Sequence, residues 1–131
     1  MTKIQNENNK KKPAEFDLEI RTETFARDVR SLIKLIPKTI ANMEDGKQVV
    51  RSSGSVGANY IEGNEALSKK DFLMRIRICR KEAKESRYWL KLIDIETGKE
   101  QLEKQRQRLI QESTELMNIF GAIIRKTELP Q

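Results

Sequence analysis

Apolar residues along this chain recur at helical rather than strand spacing. In the first segment Leu18, Phe25, Val29, Leu32 and Ile36 are separated by seven, four, three and four residues, which puts them on one stripe of an amphipathic helix. Pro37 removes a backbone donor and crowds the preceding turn. Ile40 and Met43 nevertheless continue the register, so the spacing predicts a kinked helix over residues 17–42, followed by a turn at Asp45-Gly46. A second helix is expected over 47–66. There Val49, Val50, Val56, Tyr60 and Ile61 alternate with the small residues Ser52, Ser53, Gly54, Ser55, Gly57 and Ala58. Each internal glycine costs about 1 kcal/mol against alanine in a helix, so this segment must gain through close packing what it lacks in propensity.

Ser68-Lys69-Lys70-Asp71 matches the S-x-x-D helix start, with Ser68 as the N-cap. Phe72, Ile76, Cys79, Ala83, Ser86, Leu90 and Ile93 then alternate four and three residues apart, predicting a third helix over 69–96 that ends where Gly98 offers a left-handed cap. The fourth, over 99–126, carries Leu102, Leu109, Leu116, Phe120 and Ile123 on one face, with Ile110, Met117 and Ile124 beside them. No segment reads as a strand. Four amphipathic stripes on short connections bury together in an all-α, up-and-down antiparallel four-helix bundle over residues 15–127. Residues 1–14 are polar, end in Lys10-Lys11-Lys12 and a proline, and hold too little apolar surface to offset ordering entropy. They are expected to be a disordered basic tail, its lysines either a plain solvated run or an added attraction for a polyanion.

Composition narrows the function. The 131 residues suit one domain, and 35% charged against 5% aromatic residues argues against a sandwich or barrel. The chain has no histidine and one cysteine, which excludes the usual Cys/His zinc site and the Glu-x-x-His pairs of di-iron bundles; carboxylate metal sites stay open, but no metal ligand is assigned and no cofactor is expected. Gly54 to Asn59 lacks the order of a phosphate loop. Cys79 falls on the core stripe with no histidine to activate it, the pattern of a structural thiol. No catalytic residue is expected. The single cysteine and the lack of a charged stretch followed by an apolar one at the start predict a cytoplasmic protein, and no apolar run approaches the roughly 20 residues that span a bilayer.

Charge changes the picture most. The net charge is +6, and residues 69–91 hold nine Lys or Arg against three acids, an excess equal to that of the whole chain. At about 100° per residue Lys70, Arg77, Lys81, Lys84 and Lys91 lie opposite the third helix's core stripe. They form a basic ridge suited to phosphate contacts with RNA or DNA. Met74, Ile78, Trp89 and Leu92 make a further stripe off the core direction, either a self-association surface or a face covered by a second neighbouring helix. On the second helix Ser52, Ser55, Asn59 and Glu62 share one face, and Glu82 and Glu85 on the third stand near Trp89, with Arg51, Arg80 and Lys81 as available counter-charges. These polar residues are either solvent-facing at a crowded helix contact or a buried network that fixes register or subunit pairing.

The runs R-S-S-G-S-V-G-A-N-Y-I-E-G (51–63), S-K-K-D-F (68–72) and K-E-A-K-E-S-R-Y-W-L (81–90) resemble the 23S rRNA-intervening-sequence proteins, a bacterial four-helix-bundle family. That family includes relatives of the accessory variability protein of diversity-generating retroelements. The resemblance covers roughly residues 16–125 and marks Ser52, Ser55, Asn59, Glu62, Glu82, Glu85, Trp89 and Leu90 as family-pattern positions. It implies an up-and-down bundle that assembles as a ring-like homopentamer, and a relative whose basic surface binds nucleic acid and a reverse transcriptase. The expected function is that of a non-catalytic, oligomeric nucleic-acid-binding accessory protein contacting phosphates without reading sequence. The competing expectation is a protein-interaction scaffold or antitoxin-like partner that binds no nucleic acid.

Overall fold

Helix ends in this chain are set by capping groups, and some of those groups come from far along the sequence. In a computed structural model, which describes residues 13–130, four helices follow one another: α1 (Pro13–Ile33), α2 (Ile40–Asn64), α3 (Lys69–Leu92) and α4 (Glu100–Glu128). The expected disordered tail lies outside the described residues except for Pro13 and Ala14, which open α1. Proline suits a first turn, where its missing N–H has no helical partner to lose.

Several boundaries differ from the sequence expectation, among them the start of α1, at Pro13 rather than Asp17. α1 stops at Ile33, short of Asn42, and residues 40–42 start α2 instead. Thr39 explains this. Its hydroxyl accepts a hydrogen bond from the Asn42 N–H at 3.1 Å, so the chain is capped anew just after Pro37. Asp45-Gly46 is not a turn but lies inside α2, where Gly46 is buried against Ile33. Ile40 and Met43, expected to continue the first stripe, are exposed. α3 ends at Leu92, not residue 96, because Asn42 intervenes from α2. Its side-chain amide donates to the carbonyls of Pro37 (2.9 Å) and Asp94 (3.0 Å) and accepts from the Asp94 N–H (2.9 Å), fixing both loops at that end. Gly98 takes its left-handed conformation (φ +91°) in the turn before α4 rather than as the cap of α3.

Each helix packs on its neighbours in a ring, α1 on α2, α2 on α3, α3 on α4 and α4 back on α1. Cross-links give the antiparallel registers: Arg21 to Glu112 between α1 and α4, Ser52 to Ser86 between α2 and α3, and Arg87 to Thr114 between α3 and α4. Between α1 and α2 the packing is close at Gly57, where Thr22 sits against the bare backbone. Most of the predicted stripe residues form the core, with Leu18, Phe25, Val29, Leu32, Val56, Ile76, Cys79, Leu90, Leu109, Leu116 and Phe120 buried, while Phe72, Leu102 and Ile123 are half-buried at its edge. Each large apolar side chain taken out of water contributes about 1.5–3 kcal/mol. Val50 and Ile61 of the second stripe are instead half-buried and exposed. No described helix is long and apolar enough to cross a membrane.

Candidate nucleic-acid interface

α3 contributes its core stripe to the bundle and turns the rest of its surface outward between α2 and α4. That surface divides by chemistry. Lys70, Arg77, Lys81, Lys84 and Lys91 are all exposed, as their spacing requires. Arg77 is paired with Glu128 of α4, while among the described residues the four lysines have no carboxylate in ion-pair range. Met74 and Ile78 lie between Lys70, Arg77 and Lys81, and together with Asp71 these line a shallow depression of about 410 Å³. Cationic heads around an apolar floor fit a ligand that is charged on one side and flat or apolar on the other.

Sequence reasoning passed over Tyr88. It is 56% exposed and stands on the same face, four residues after Lys84 and three before Lys91. Its ring meets Trp89 edge-on, with centroids 5.0 Å apart and planes at 68°. An aromatic ring among lysines is the combination that stacks nucleic-acid bases while holding their phosphates. The spacing to Lys84 and Lys91 was the available signal.

On the side facing α2 the polar residues sort into different environments. Ser52 is fully buried and shares a 2.7 Å hydrogen bond with the buried Ser86 hydroxyl. Glu82, also buried, accepts from Arg51 at 3.4 Å, and Arg51 bonds Glu85 as well. Glu85 further accepts the Trp89 indole N–H at 2.9 Å. Asn59 donates to the Ser55 carbonyl (2.9 Å) and accepts from Arg75 (2.9 Å), whereas Glu62 is exposed and outside the network. Of the expected counter-charges, Arg51 serves this network, and Lys81 acts on Glu85 through its charge alone. Arg80 faces the other way, toward α4. The off-core apolar stripe is split in the same fashion: Ile78 and Trp89 are half-buried, while Met74 and Leu92 are 48% and 43% exposed.

Burial opposes ionisation of Glu85, but the Trp89 N–H and the Arg51 guanidinium outweigh it and hold the carboxyl below its ordinary range. A depressed folded-state pKa stabilises the protein above the ordinary glutamate range, and that stabilisation is lost as pH falls through the folded value. Acidification below the usual glutamate range should therefore weaken the α2–α3 contact and alter Trp89 fluorescence. Glu85→Gln should flatten that limb in a pH series of thermal melts, and an acid limb identical to the wild type's would remove Glu85 from the account.

The flank facing α4 carries cations that lie outside the ridge spacing. Arg87 donates to the Thr114 hydroxyl at 3.3 Å, and Arg106 donates to the carbonyls of Leu90 and Lys91 at 3.1 and 3.3 Å, capping α3. Arg80 and Arg125 lie over Gly121. Among the described residues no group of three or more Cys, Asp or Glu side chains is arranged to hold a metal ion. Burial pushes the Cys79 thiol up to about 12, and it donates to the Val56 carbonyl at 3.3 Å, so the buried site disfavours its thiolate.

Residues 16–122 match the family described as 23S rRNA-intervening sequence protein. A crystal structure of a protein with unknown function from the S23 ribosomal protein family, from Bacteroides thetaiotaomicron, is 30% identical in sequence. It superposes with a TM-score of 0.67 over 82% of this chain and 97% of that one. No curated protein matches.

Proposed function

The chain belongs to the 23S rRNA-intervening sequence protein family, and we propose that it is a non-catalytic, oligomeric accessory protein that binds nucleic acid through its phosphates. One observation carries the reading. α3 turns Lys70, Lys81, Lys84 and Lys91 outward with no acid in ion-pair range among the described residues, and acids on its surface are confined to Asp71 and the side that meets α2. A helix face made for solubility alone mixes both signs. A face of one sign, carrying Tyr88, is suited to a polyanion, and contacts made only with phosphates are tolerant of sequence.

Assembly is part of the reading. Met74 and Leu92 leave apolar area exposed beside the ridge, suited to contact with a second copy, and the ring-like pentamer that the family resemblance implies would bring five ridges into one multivalent surface. Titration of fluorescent single-stranded RNA and duplex DNA across a salt series tests the first part. Affinity should fall linearly with salt on logarithmic axes, with a slope of about −0.7 per phosphate contact on a single strand and −0.9 on a duplex. If neither binds at low ionic strength, the reading is wrong. Native mass tests the second part, with a pentamer expected and a monomer excluding the multivalent surface.

A further inference from the structure

Among the described arginines, nine donate a hydrogen bond to a side chain or carbonyl of this protein. Arg80 and Arg125 make none with the described residues, and both lie over the same residue. Gly121 is buried, and a β-carbon built there would meet Arg125 Nη1 at 3.4 Å and Arg80 Nη1 at 3.9 Å, so these two nitrogens stand no more than 7.3 Å apart. Like-charged guanidiniums repel, weakly where both face solvent as here, and an anion between them replaces that repulsion with two attractions. We propose that Arg80 of α3 and Arg125 of α4 form a clamp for a phosphate group, seated over Gly121 in the seam between the two helices.

The spacing suits this ligand. A tetrahedral oxyanion bridges the pair with one oxygen on each guanidinium at charge-assisted hydrogen-bond lengths of about 2.8 Å. Arginine presents a planar fork of donors to phosphate, where lysine presents a point charge. Both arginines are exposed to solvent above the buried Gly121, and their guanidiniums can reach one ligand from two helices at once. The nearest polar neighbours along α4 favour an anion too, since Asn118 and Thr114 are uncharged, and Glu128 at the far end is taken by Arg77. Lys84 and Arg87 continue the cationic line along α3, so a phosphate on the clamp is also where a nucleic-acid backbone on the ridge would pass. The clamp rests on the polyanion reading above and adds the group that is recognised and the residues that recognise it.

The same chemistry has two sources, a nucleic-acid backbone and free phosphate, and two arms separate them. In one, inorganic phosphate and pyrophosphate are titrated by thermal shift against chloride at matched ionic strength. In the other, fluorescent single-stranded RNA is titrated by anisotropy. Arg80→Gln and Arg125→Gln should each weaken phosphate protection and RNA affinity by about tenfold, the worth of one hydrogen-bonded charge. Lys104→Gln, an exposed control on α4, should change neither beyond the loss of one distant charge. Arg125→Lys keeps the charge and loses the fork, so it should fall well below wild type. If both glutamine variants match Lys104→Gln in both arms, the clamp is overturned even if RNA binds. If phosphate protection depends on Arg80 and Arg125 but no RNA binds, the clamp stands as a free-phosphate site and the nucleic-acid reading fails.

Discussion

Replacing Gly57 with leucine is expected to destabilise the bundle by about 3 kcal/mol, the upper part of the usual range for overpacking a close-packed interior. A β-carbon at Gly57 would lie 2.7 Å from the Thr22 hydroxyl oxygen, 3.1 Å from the Thr22 β-carbon and 3.8 Å from its carbonyl carbon. Thr22 cannot swing aside, because it is itself buried and its hydroxyl donates to the Leu18 carbonyl at 2.7 Å. Relief must come from separating α1 and α2, which loosens the packing of Leu18, Phe25 and Val56 together. Improved helix propensity returns only about 1 kcal/mol. For a domain of this size a loss of a few kcal/mol lowers Tm by roughly 10 °C. Gly54, one turn earlier, is the control. Its β-carbon would meet only the far end of Arg30, at 3.4 Å, so Gly54→Ala should leave Tm unchanged or raise it slightly. Melting curves followed by helical circular dichroism test both, and a Gly57→Leu protein melting with the wild type would refute the close-contact account.

That close approach was half legible in the sequence. The density of small residues in α2 signalled that a neighbour comes close, but nothing local said that the neighbour is Thr22 of α1. The same division runs through the fold. α3 was readable from Asp71 to Leu90 because its signals are local: a serine cap four residues ahead of Phe72, then a heptad stripe. Its end was misread because Asn42, from 52 residues away, organises the loop, and the glycine at 98 offered a plausible local alternative. Asp45-Gly46 carried a turn signal that lost to Thr39, whose cap restarts the helix before those residues are reached.

The site divides likewise. Which cations on α3 face outward follows from 100° per residue and needs no partner. Which of them remain unpaired does not, since Arg77 is taken by a glutamate at the other end of the chain and Arg80 lies beside Arg125, 45 positions later. The buried pairing of Ser52 with Ser86 was equally out of reach, because their spacing within each helix allowed a wet face as readily as a dry one.

Reversing Lys70, Lys84 and Lys91 to glutamate should abolish measurable binding to single-stranded RNA while leaving the bundle folded. All three are exposed and without ion pairs among the described residues, so their replacement removes nothing that holds the helices together. The helix dipole nearly cancels between them. Lys70 lies in the first turn of α3, where a glutamate gains roughly 0.3–1 kcal/mol, and Lys91 in the last, where it loses a similar amount. Tm should therefore stay close to that of the wild type. Binding has no such compensation. Without these three lysines on the phosphates of a single strand, the salt slope falls by about 2 in magnitude, and reversal adds repulsion where there was attraction, so affinity at low salt should drop by at least about a hundredfold. Neutralising the same residues with glutamine should give the slope change without the repulsion, and a smaller decrease in affinity. A folded triple variant that binds RNA as tightly as the wild type, with the same salt slope, would make the ridge a solvated surface. A protein partner retained by both forms after nuclease treatment would then favour the scaffold reading, with the exposed Met74 and Leu92 as its contact.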